Sequence, residues 1–170
     1  MKRFWNWLRR RNNVGGGIIT LRTSLVARHL DKDGNELGQR VVKDRVVTTA
    51  FVNDVVDVLT ATAGPLGTID DYKYHDSGIG TTAEAATDTA LVTPWGGARD
   101  IGTQIEGTSA YIYKSVATTT YNATKAITEH GLFNASTAGT LMDRTVFAAI
   151  NVESTNKIEW TFTISLSSGG

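Results

Sequence analysis

The chain contains no cysteine, only two prolines and no net charge. Without thiols neither a disulfide framework nor a thiolate metal site can form, so packing alone must hold the fold and the redox compartment stays open. No apolar run approaches the roughly 20 residues of a membrane-spanning helix. The start, MKRFWNWLRRR, also lacks the apolar stretch of a secretory signal. The expectation is a soluble protein with no membrane span, not exported through a cleaved signal. Balanced totals of 17 basic and 17 acidic residues give no overall pull toward a polyanion, but their distribution is uneven. Lys2, Arg3, Arg9, Arg10 and Arg11 fall in the first eleven positions with no acid among them, leaving 12 basic against 17 acidic residues, or −5, in the remainder.

What the chain does have is threonine, 25 residues, and glycine, 17, a mixture suited to exposed strand faces and tight turns. In the closing segment Ile158, Trp160, Phe162, Ile164 and Leu166 alternate with Glu159, Thr161, Thr163 and Ser165. That period of two marks a half-buried antiparallel strand. Similar runs cover residues 18–30, 39–47, 69–75, 98–106, 111–120, 123–133 and 140–151. Residues 49–63 switch to helical spacing through Phe51, Val52, Val55, Val56 and Leu59, with Thr48 or Thr49 as N-cap and Gly64-Pro65 as a stop. A mainly β fold follows: an antiparallel β-sandwich or open barrel, jelly-roll-like, of seven or eight strands with one α-helix and an N-terminal arm. At 170 residues this is one domain, residues 18–170, preceded by a basic arm and glycine linker, residues 1–17.

Candidate chemistry is sparse. Gly15-Gly16-Gly17 has no following Gly-Lys-Ser/Thr and reads as a linker, and Gly78-Ile79-Gly80 lacks the third glycine of a dinucleotide fingerprint. The acidic cluster from Asp31 to Glu36 places its glycine too early for an EF-hand and reads as a hairpin turn. Two of the three histidines, His29, His75 and His130, sit beside a carboxylate, as His75-Asp76 and Glu129-His130. Neighbours in a strand point to opposite faces, so neither pair chelates an ion by itself. These histidines are expected to hydrogen-bond within the fold or at an interface, with a site assembled by His75, His130 and a distant carboxylate as the lesser alternative. No Gly-x-Ser-x-Gly elbow supports a hydrolytic triad, and the sequons at Asn122 and Asn134 read as coincidences of a threonine-rich chain. No catalytic, cofactor or metal residue is nominated, and the expectation is a protein that is not an enzyme.

The strongest local signal is the arm, where Lys2, Arg3, Arg9, Arg10 and Arg11 interleave with Phe4, Trp5 and Trp7. Cations with aromatics suit an acidic protein groove, nucleic acid or an anionic membrane surface. Docking to a partner protein is the leading reading, and nucleic acid stays open. In the body, Trp95, Tyr111 and Tyr113 are candidate interface anchors, because aromatics are enriched at binding hot spots.

Five segments carry a resemblance: Tyr74-His75-Asp76-Ser77-Gly78-Ile79-Gly80-Thr81-Thr82, Asp88-Thr89-Ala90-Leu91, Ala126-Ile127-Thr128-Glu129-His130-Gly131-Leu132-Phe133, Gly139-Thr140-Leu141-Met142-Asp143-Arg144 and Val146-Phe147-Ala148-Ala149-Ile150-Asn151-Val152. In this order they resemble small virion structural proteins of tailed bacteriophages, over roughly residues 74–166. The resemblance implies a β-rich, non-enzymatic particle component made in the bacterial host cytoplasm and assembled into the virion. It would most simply be a capsid decoration or cement protein that oligomerises and binds the major capsid protein or other virion proteins. A neck, tail or fibre-anchoring component is the alternative within that class. A carbohydrate- or host-surface-binding module, with Trp95, Tyr111 and Tyr113 stacking on sugars, is the alternative outside it.

Overall fold

A computed structural model of the protein describes residues 18–59 and 71–169. The arm, residues 1–17, with its nominated Lys2, Arg3, Phe4, Trp5, Trp7, Arg9, Arg10 and Arg11, and the expected end of the helix lie outside the described residues.

The fold is an antiparallel β-sandwich with one helix, as the composition implied. Sheet A joins β2 (Glu36–Lys43), β1 (Ile18–Leu30), β10 (Lys157–Gly169), β7 (Ile112–Thr120) and β6 (Thr103–Glu106) in that order. Sheet B joins β3 (Val46–Val47), β9 (Leu141–Val152), β8 (Lys125–Phe133), β4 (Tyr74–Gly78) and β5 (Asp100–Ile101). The described residues thus form ten strands, more than the seven or eight expected, because two expected strands each turn a corner between the sheets. The run 39–47 breaks at Asp44, whose φ of 52° ends β2 in sheet A and sends β3 into sheet B. The run 98–106 divides at Gly102 into β5 in sheet B and β6 in sheet A. The strand expected at 69–75 is shifted and forms as β4.

The core lies between the sheets. Leu25 and Ala27 of β1, and Ile158, Trp160, Phe162 and Ile164 of β10, meet Ile127, Leu132, Ile150 and Val152 of sheet B. The alternation in β10 therefore has the meaning its period implied: the apolar face is buried, and Glu159, Thr161, Thr163 and Ser165 lie on the outer face. The helix α1 (Thr49–Leu59) closes one flank. Thr48 caps it, its Oγ1 accepting the Phe51 N–H at 3.2 Å and donating to the Leu141 carbonyl. Valine is a poor helix former, so the helix depends on contacts such as Phe51, which packs edge-on against Tyr72 at 5.1 Å.

Among the described residues nothing covers the outer face of sheet A. One row across it reads Val41, Val26, Thr161, Val116 and Thr103, and the next reads Lys43, Ser24, Thr163, Lys114 and Ile105. None of these ten side chains is buried. This assignment of layers is directly testable. Leu25→Ala should cost about 3 kcal/mol by the cavity it leaves, whereas Val41→Ala, opposite the next residue on the outer face, should cost less than about 0.5 kcal/mol, both read from urea denaturation midpoints.

Candidate functional site

Sheet B is covered on both faces where residues 79–99 lie over it, while Ala126 and Asn151 stay exposed at one end. A register shift between Ile127 and Glu129 turns Glu129, Gly131 and Phe133 outward, while His130 and Leu132 face the core. The long segment 79–99 folds over this outward face. Leu91 packs against Phe133 and Leu141, with Tyr74 at the margin. Glu129 is fully buried, and its carboxylate accepts the backbone N–H groups of Gly80 (3.0 Å), Val92 (3.1 Å) and Thr93 (2.8 Å). The Nε of Arg144 donates to it as well, at 2.8 Å. Arg144, itself buried, also donates to Asp88 at 3.0 Å and to the Thr82 carbonyl at 2.9 Å.

A buried carboxylate is tolerable only when such donors replace water, and the backbone must come close to supply them. Gly78 and Gly80 permit this approach, since a Cβ there would lie 2.6 and 2.4 Å from Glu129 Oε1. Gly78-Ile79-Gly80 is thus a close-approach segment around a carboxylate. Two further pairs fasten the covering segment. Arg45 pairs with Glu84. Arg99 donates to Asp76 at 3.3 Å and to the carbonyls of Ala135 and Ala138, with its guanidinium 3.4 Å above the centre of the Phe133 ring.

Facing inward is a polar chain through the core. Ser115 Oγ lies 2.8 Å from His75 Nε2, His75 Nδ1 lies 2.9 Å from His130 Nε2, and the His130 ring lies against Trp160 at 4.7 Å. Trp160 donates in turn to Thr119, which donates to Asp100. Nearby, Asp143 accepts from Thr23 and Thr145, and burial pushes its carboxyl up to about 6. Burial lowers His75 to about 3 and holds His130 well below its usual range, with His75 adding to the effect on His130. A serine, an imidazole and a second imidazole in line have the connectivity of a nucleophile, base and orienting group. Yet Ser115, His75 and His130 expose no surface at all, and Gly102 closes over them. The arrangement is an interior network that links the two sheets, with His130 Nδ1 buried and without a hydrogen-bond partner among the described residues.

As the period of two required, His75 and Asp76 face opposite sides, and so do Glu129 and His130. Asp31 turns the β1–β2 hairpin: its carboxylate accepts the N–H groups of Asp33 and Asn35, both at 2.8 Å, with Gly34 at φ 90°. Among the described residues no three His, Asp or Glu side chains gather as a metal site. Asn134 is buried and Asn122 exposed.

The three nominated aromatics do not form one patch. Trp95 is half-buried, edge-on to Tyr121 at 4.9 Å. Tyr113 is half-buried, donates to the Tyr72 carbonyl and accepts from Gln104. Tyr111, 58 % exposed, stands at a groove of about 320 Å³ at one end of sheet A. Sequence reasoning missed Arg144, Arg99, Asp88, Ser115 and Asp143, most of whose partners are distant in sequence and leave no local pattern. Glu129 and Asp76 were seen only as neighbours of histidines. No family model, curated protein or solved structure matches the chain.

Removing one partner of the buried pair strands the other. Glu129→Gln or Arg144→Met should each cost about 3–5 kcal/mol and open residues 79–99 to chymotrypsin at Leu91 or Trp95, with residues 141–169 staying resistant. The histidines give a pH signature. With its folded pKa lowered to about 3, His75 binds its proton only in the unfolded chain between pH 6.5 and that value, so its contribution is lost as pH falls below 6.5. The destabilisation caused by His75→Gln should therefore shrink by about 2 kcal/mol between pH 7.5 and 5.0, measured by denaturant titration of both proteins at each pH.

Proposed function

We propose that this protein is a structural subunit of a tailed-bacteriophage particle. In this reading it is a decoration or cement protein that binds the assembled shell through its β-domain and N-terminal arm. The observation that carries the reading is the unequal finish of the two sheets. Sheet B is covered on both faces beneath residues 79–99 and has its buried Glu129 and Arg144 paired, whereas among the described residues sheet A leaves five strands bearing chiefly valine, threonine, serine and lysine open on one face. A sheet surface rich in short side chains loses little conformational entropy on docking and offers hydroxyls and β-branched groups to a neighbour. It also lacks the broad greasy patch that would make a free subunit aggregate. The resemblance of residues 74–166 to virion proteins supplies the particle, and the basic arm on a body of −5 supplies a second grip.

Copy number tests the assignment. Stained gels of purified particles of the encoding phage should show this chain at a fixed, large fraction of the major capsid protein. About twelve copies or fewer per particle would match the symmetry of a neck or tail ring instead, and absence from the particle would end the virion reading altogether.

A further inference from the structure

Sheet A has a second uncovered region, at the end where β1 begins. Strand register turns Glu106, Tyr113 and Leu166 toward the inner side, yet Glu106 is exposed and Leu166 is 43 % exposed, because sheet B does not extend over them. Together with Ile105 (44 % exposed) and Tyr111 they form the groove of about 320 Å³, an apolar trough with a carboxylate at its margin. Glu106 forms no ion pair among the described residues.

We propose that this groove is the docking site of the chain's own N-terminal arm, with Phe4, Trp5, Trp7 and Leu8 in the trough and the arm's cations beside Glu106. Position supports it. Ile18 pairs with Gly169, three residues along β10 from Leu166, about 10 Å away. The far side of the groove on β6 lies three strand spacings from β1, about 14 Å. The ten residues from Leu8 to Ile18 reach about 33 Å when extended, enough to cover both. Chemistry supports it too. The arm is rich in the aromatics an apolar trough accepts, and its five cations oppose Glu106 and a body of −5. Residues 60–70, the internal segment outside the described residues, offer only Leu66 and Ile69 as large apolar side chains, and their one charge is the acid Asp70. Tethering favours the chain's own arm over another copy's through effective concentration. The inference holds whether or not the protein belongs to a particle. In a particle subunit it makes the arm a latch, seated on the body until a partner offers a better site.

The cysteine-free chain makes the test direct. The full-length protein carrying Leu8→Cys and Ala110→Cys, the second an exposed residue that lines the groove and leaves Glu106 in place, is oxidised at micromolar concentration. It is compared with Leu8→Cys/Lys43→Cys, whose second site is exposed, lies outside the groove and, opposite Ser24, is within the same reach of Ile18. The proposal expects an intrachain disulfide forming roughly fivefold faster at position 110 than at position 43, with the advantage falling in high salt. Equal rates at the two sites overturn it. So does a predominantly interchain dimer, or faster linkage in Leu66→Cys/Ala110→Cys, which would give the groove to residues 60–70.

Discussion

The buried carboxylate of Glu129 is the constraint on which most of the molecule depends. Its oxygens require donors in place of water, and the fold supplies three backbone N–H groups and the Nε of Arg144. Meeting that demand fixes glycine at positions 78 and 80, brings residues 79–99 back to β8 at two places, and turns the rest of the Arg144 guanidinium toward Thr82 and Asp88. Leu91 then falls on Phe133 and Leu141, so a segment with no regular structure of its own becomes the third layer of a sandwich. The two sheets differ because only one of them carries this carboxylate.

Legibility in the sequence followed from how many faces of a strand are buried. β10 could be read residue by residue because it is central in a sheet with one open face. β8, written KAITEHGLF, could not, since it is covered on both sides and a register shift resets its alternation midway. The corners at Asp44 and Gly102 were invisible because a strand that changes sheet keeps its period of two. The rule that strand neighbours diverge did separate His75 from Asp76 and Glu129 from His130. It gave no hint that the two imidazoles would meet each other, because that contact comes from β4 lying beside β8.

Segments far apart in the sequence converge on sheet B. Asp76, Gly78, Gly80, Asp88, Leu91, Glu129 and Arg144 build the covered side of sheet B, and His75 and His130 build the polar chain beneath it. They specify a scaffold. The outer face of sheet A, the groove beside Tyr111 and the exposed valines of α1 lie largely outside those segments.

Strand β1 is paired along its whole length with β10, so the first and last strands described lie side by side near the middle of one sheet. During synthesis Ile18–Leu30 can form its hairpin with β2 early, but its other edge must wait until residues 157–169 have left the ribosome. Such distant pairing slows folding and leaves a hydrogen-bonding edge available to other nascent chains in the interval. Whatever shields that edge, a chaperone or rapid translation through β10, governs how much of the protein reaches its native state.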